Sequence, residues 1–184
     1  MKFRVFLGLF IIVGLSLILG KPKDTDCIKE LNEDGYHFIT VDGFDKPNCT
    51  VQNPIRLTAT PTTKLSSPVT LSCQFAKDFG DWTQSIGARH IKHVGGYNCR
   101  KIAGSVFMSQ HSYGNAIDVA AIDGIPISKN WRASAKKACW YFNNVLTPET
   151  DRAHHDHLHL DNGLGVPCWA KSIKRFAAGV LGDN

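Results

Sequence analysis

The sequence predicts an α+β domain, a small antiparallel sheet packed with helices and stapled by disulfides. Three observations lead there. Short stretches at 90–94, 115–122 and 157–161 are strand-like, the last alternating polar and apolar residues with the period of two that marks a strand with unlike faces. Residues 72–86 and 131–145 repeat apolar positions at helical spacing. Six cysteines, an even number suited to an oxidising compartment, all follow the first 26 residues.

Lys2 and Arg4 precede an apolar run from Val5 to about Gly20, the layout of an export signal and short for a membrane span of ~20 residues. Residues 1–22 are therefore expected to be a signal peptide or an N-terminal membrane anchor, and residues 23–184 a single domain. Within it, residues 26–33 read as a short helix closed by Gly35, and residues 36–41 as an extended segment. The Pro/Thr/Ser-rich stretch 53–68, interleaved with Ile55, Leu57 and Leu65, reads as irregular or edge structure wrapping the domain. Ser72 caps a helix through Ile86 whose Phe75, Phe79, Trp82 and Ile86 supply core.

Residues 90–94 suggest a strand, with His90 and His93 on opposite faces and no shared ligand role. Residues 115–122 read as a buried strand, joined through Asp123-Gly124 to residues 125–127 as a hairpin. Trp131, Ala135, Ala138, Phe142 and Val145 share one helical face, ended by Pro148. Three disulfides are expected among Cys27, Cys49, Cys73, Cys99, Cys139 and Cys168, and the absence of Cys-x-x-Cys argues against cysteine as a metal ligand.

The chemistry lies in two clusters. In His157-Leu-His159-Leu-Asp161 the polar residues share one strand face and the leucines point to the core. Residues two apart on a strand are separated by about 7 Å, so one imidazole can bind a metal while the other reaches the water on it. Ten residues beginning at Ser109, Ser-Gln-His-Ser-Tyr-Gly-Asn-Ala-Ile-Asp, supply the remaining ligands: Gly114 permits a chain reversal after His111. Asp118 is an isolated carboxylate among Ala116, Ile117, Val119 and Ala120, costly to bury unless a metal or partner keeps it ionised. His111, Asp118 and His159 thus form a candidate three-ligand zinc site with an open fourth position, carried by the small sheet.

The spacing Ser-x-His-x-x-Gly-x-Ala-x-Asp followed by His-x-His resembles the peptidoglycan-cutting zinc peptidases related to D-alanyl-D-alanine carboxypeptidases and to penicillin-insensitive murein endopeptidase. More narrowly, Pro68-Val-Thr-Leu-Ser-Cys73, Tyr97-Asn-Cys-Arg100, Val145-Leu-Thr-Pro-Glu149 and Ala153-His-His-Asp-His-Leu-His-Leu-Asp161 are similar to the bacterial extensin-like C-terminal domain family, from about Cys27 to Cys168. The resemblance implies an α+β zinc peptidase with His111, Asp118 and His159 on zinc and His157 as the catalytic histidine, with His154 as a second candidate. It also marks a departure. Three residues before His159, where the carboxypeptidases carry glutamate, stands Asp156, one methylene shorter and on the opposite strand face.

The expected function is hydrolysis of peptide bonds in peptidoglycan stem peptides or cross-links, with zinc lowering the pKa of a bound water to about 7. Arg100, whose guanidinium suits a substrate carboxylate, and Ser109 are the candidate substrate-binding residues. Loss of Lys2 and Arg4 with the leader takes the net charge from +5 to +3. That mild basicity suits an anionic wall, and without Lys/Arg stripes it excludes a nucleic-acid binder. The expected location is periplasmic or secreted. Two other readings stand beside this one: a non-catalytic zinc-bearing cell-wall binding or regulatory module, and a disulfide-stapled extracellular structural protein.

Overall fold

A computed structural model of the chain describes residues 24–164. The expected leader at 1–22 and Cys168 lie outside them. Helix α1 (Asp24–Glu33) ends at Gly35, whose φ of 81° closes the turn, and leads into β1 (His37–Thr40). A two-residue hairpin, β2 (Asp45–Lys46) with β3 (Cys49–Thr50), precedes β4 (Pro54–Ala59) and β5 (Lys64–Ser72). Helix α2 (Cys73–Ser85) begins where the Ser72 hydroxyl accepts the Phe75 N–H. Then come β6 (His90–Gly95), β7 (Ala116–Ile122), β8 (Ile125–Pro126), α3 (Arg132–Ala138), β9 (Asn144–Leu146) and β10 (Leu158–Asp161).

The expectation of a small antiparallel sheet is overturned. Eight strands form one mixed sheet in the order β1-β4-β5-β6-β7-β10-β9, with β8 beside β7. All pairs are antiparallel except β5 with β6, where α2 provides the crossover that parallel neighbours require. The helices are few. Their share shrinks because the expected helix over 131–145 stops at Ala138, and Asn144, Val145 and Leu146 pair with β10 instead.

The sheet grows because the Pro/Thr/Ser-rich stretch is β4 and β5. Pro54 opens a strand, and Pro68 falls between the part of β5 paired with β6 at Leu65 and the part paired with β4 from Val69 onward, where a missing N–H is tolerated. Two disulfides, Cys27–Cys73 and Cys49–Cys99, are described. Cys139 is also disulfide-bonded, so no described cysteine is free. No helix among the described residues is long and apolar enough to cross a membrane.

Leu31 of α1, Phe75, Phe79 and Trp82 of α2, and Ala135 and Ala138 of α3 share one core with Ile55, Leu57, Leu71, Ile117, Val119, Leu158 and Leu160 of the sheet. The aromatic residues interlock, Phe75 with Phe142 at 5.4 Å between centroids and Phe79 with Trp82 at 5.8 Å. The aromatic stripe of α2 is core, as its helical spacing implies.

One group on α2 works against folding near neutrality. Asp78 accepts hydrogen bonds from Gln74 and from Asn162 at the end of β10, yet burial outweighs them and pushes its carboxyl up to about 6. A raised carboxyl pKa favours the fold below the unfolded value near 4 and loses that contribution as pH rises through about 6. Wild type is therefore expected to lose about 1–2 kcal/mol between pH 4 and pH 7 relative to Asp78→Asn, whose neutral amide keeps both neighbours once one of them flips its own amide. Urea denaturation at the two pH values checks this; parallel curves for the two proteins would show a solvated carboxylate.

Candidate metal centre

β7 and β10 lie side by side in register, with Asp118 directly opposite His159. The fully buried Ile117, Val119, Leu158 and Leu160 fix one face of the pair in the core and so turn Asp118 and His159 to the other. His111 arrives from a 3-10 turn, Gln110–Tyr113, which is capped by Ser109 and reversed by Gly114 at φ 66°. The three side chains each bring an atom to within 4.8 Å of the others. His111 Nε2 lies 3.2 Å from His159 Nδ1 and 3.3 Å from Asp118 Oδ2, and His159 Nδ1 lies 2.9 Å from Asp118 Oδ1. A tetrahedral ion with bonds of ~2.0–2.1 Å holds its ligand atoms about 3.3 Å apart, so the spacing fits such a ligand set.

The hydrogen bonds show which nitrogen of each ring faces inward. His111 donates its Nδ1–H to the Gly96 carbonyl at 2.6 Å, which leaves the Nε2 lone pair inward. His159 donates its Nε2–H to Asp161 at 2.8 Å, which leaves Nδ1 inward. His111 Nε2, with its lone pair, and His159 Nδ1 therefore face the Asp118 carboxylate in a buried space, where a proton on His159 Nδ1 or a metal ion would supply the positive charge between them. Burial would pull His159 down, but its bonds to Asp118 and Asp161 win and push it up to about 9. Burial would likewise raise Asp118, yet His111 and His159 hold it well below the usual carboxylate range. Both directions describe an imidazolium and a carboxylate that stabilise each other across the strand pair.

Residues 25–168, more than half of the chain, match the family of the extensin-like protein C-terminus. The chain belongs to the extensin-like C-terminal family. No curated protein and no solved structure matches it.

In this extensin-like domain the other singled-out residues take distinct places. His157 turns Nε2 toward this group, 3.7 Å from Asp118 Oδ1. The His154 ring packs 5.1 Å from that of His157 and 5.7 Å from that of His159, whereas His155 points to solvent. Ser109 is buried, and its hydroxyl accepts the His111 N–H at 3.4 Å, so it holds the turn that carries His111. Arg100 is tied to the same turn through its backbone, its N–H donating to Ser112 Oγ and its carbonyl accepting from Ser109, while its guanidinium donates to the Lys101 carbonyl. The Cys49–Cys99 disulfide anchors the segment just before it to β3.

Two contributors escaped the sequence. The Gly96 carbonyl carries no residue-type signature. Asp151 is visible as Asp-x-x-His154 only once the intervening residues are known to form a capped turn. Asp161, which accepts from His159, also accepts from the Gly163 N–H and the Asn144 amide at the end of the strand.

Proposed function

We propose that this extensin-like domain is a zinc-dependent peptidase of the periplasm or cell exterior that cuts peptide bonds in peptidoglycan stem peptides or their cross-links. The convergence of His111 Nε2, His159 Nδ1 and the Asp118 carboxylate in one buried space carries the reading. Two imidazole nitrogens and one carboxylate are a donor set suited to zinc with an open position. Zinc held there would act as a Lewis acid toward a peptide carbonyl and lower the pKa of a water.

The chain supplies the rest. Asp161 and the Gly96 carbonyl keep the ligand rings in the tautomers that coordinate. His157 Nε2, beside the ligand set, is placed to take up a proton from the attacking water or to steady the developing oxyanion. His154 lies within reach of the same space. The disulfides and the expected leader agree with work outside the cytoplasm.

The test is to strip the full chain of metal, restore zinc, add cross-linked muropeptide dimers and follow the products by mass spectrometry. Zinc-restored conversion is expected, with product masses locating the broken bond. A folded protein that holds one zinc per chain and converts nothing would instead be a binding or regulatory module of the wall.

A further inference from the structure

Three histidines follow one another closely at 154, 155 and 157, and the fold treats them differently. The His155 side chain is 70% exposed, whereas those of His154 and His157 are 18% and 14% exposed. Each of the two sheltered rings gives its Nδ1–H to a neighbouring aspartate: His154 to Asp151 Oδ1 at 2.7 Å, and His157 to Asp156 Oδ1 at 2.9 Å. An imidazole committed at Nδ1 leaves Nε2 as its working nitrogen. The histidines around this centre thus follow one rule, since a carbonyl or carboxylate also fixes one nitrogen of His111 and of His159.

The two aspartates are anchored unequally. Asp151 Oδ1 also accepts the backbone N–H groups of Ala153 at 2.8 Å and His154 at 3.1 Å, so three donors hold one oxygen at the start of the 3-10 turn Arg152–His154. Asp156 is 62% exposed, and its contacts are with its histidine neighbours. Asp151 is consequently the stiffer support.

The geometry points to Asp151 and Asp156 as positioning residues that lock His154 and His157 in the Nδ1–H tautomer, leaving Nε2 as the opposite nitrogen of each ring, that of His157 3.7 Å from Asp118 Oδ1. The aspartate three residues before His159 thereby acquires a role other than that of base: it aims the histidine that follows it. Neutral imidazole in water prefers the opposite tautomer, so without these carboxylates each ring would present N–H where a lone pair is needed. The tautomer assignment stands on hydrogen bonds alone; only its kinetic consequence rests on the proposed peptidase reading.

The test is long-range proton–nitrogen NMR on the labelled full chain near pH 8, where free imidazole is neutral, comparing wild type with Asp151→Ser and Asp151→Asn. Serine keeps a hydroxyl able to cap the turn but falls short of the ring; asparagine keeps the acceptor oxygen. Wild type is expected to show His154 and His157 protonated at Nδ1, Asp151→Ser to move His154 alone to the Nε2–H form, and Asp151→Asn to restore it. On muropeptide dimers Asp151→Ser is expected to lower kcat about 10–100-fold with KM nearly constant, and asparagine to recover most of the loss.

A His154 that carries its proton on Nε2 in wild type, or that keeps Nδ1–H in Asp151→Ser, overturns the inference. So does an unchanged kcat in a variant whose tautomer has moved. A wild-type protein with both rings in the expected form but no turnover would sink the peptidase reading while the positioning role stood.

Discussion

Alanine at Asp118 is expected to remove zinc and zinc-dependent peptide cleavage together while leaving the fold intact. Asp118 is the one anion among the three converging groups, so its loss leaves two neutral nitrogens 3.2 Å apart with nothing to offset a dication. Even outer partners of a zinc ligand are worth about 10–100-fold in metal affinity, and a directly bound carboxylate contributes more. The strand tolerates the change, because β7 is held by pairing on both sides and by Ile117 and Val119 in the core. Metal content after dialysis, read beside circular dichroism and muropeptide conversion, separates the outcomes. A folded Asp118→Ala protein with one zinc per chain and wild-type conversion would falsify the ligand set.

Gly114→Ala is expected to damage stability and site at once, through the backbone. Gly114 has φ 66°, where an L side chain costs ~1–2 kcal/mol. A Cβ there would also lie 2.7 Å from Ser72 N, 2.7 Å from Val51 Cγ1 and 3.1 Å from the Leu71 carbonyl carbon. Two of these neighbours are main chain and cannot rotate away.

The close approach exists because the Gly114 carbonyl accepts the Ser72 N–H, and Ser72 is also the cap of α2. Relieving the clash therefore strains that bond, the cap and the turn that carries His111. A loss of about 3 kcal/mol or more is expected, accompanied by reduced zinc content. Gly124→Ala is the control: φ is 81° but no atom lies within 4 Å of the added carbon, so only the conformational cost of about 1 kcal/mol should appear. Equal losses in urea denaturation would show that the packing against Ser72 is not what matters.

Features set by local chemistry were legible in the sequence. Ser72 followed by Phe75, Phe79 and Trp82 announced a capped helix with a core face, and α2 is that helix. Asp123-Gly124 announced a hairpin; both residues have positive φ, at 50° and 81°. The alternation around His159 and the glycine after His111 were enough to bring His111, Asp118 and His159 to one place, because a strand's period and a turn residue are written residue by residue.

Features decided by distant partners were not legible. Residues 53–68 look like loop because proline and threonine dominate, and they become strands because β1 and β6 complete their hydrogen bonds. Asn144, Val145 and Leu146 fit the end of a helix until β10 is there to pair with them. A sheet neighbour's contribution exceeds local propensity at both places. The orientation of the histidines was hidden for a similar reason, since it depends on a carbonyl at Gly96 and on an aspartate whose grip on His154 requires the turn between them.

The position of β10 has a consequence for how the chain comes to life. It is the last described strand in sequence, yet it lies inside the sheet, between β7 and β9. Until Leu158–Asp161 has been synthesised, the Ala116–Val119 part of β7 lacks a neighbour on one side and β9 has no sheet to join. The gap must then be filled by a segment 41 positions from its partner Asp118, a slow, long-range closure. Chains not yet extended through Leu158–Asp161 thus hold Asp118 and His111 without His159, so the candidate metal centre cannot assemble until that strand is made.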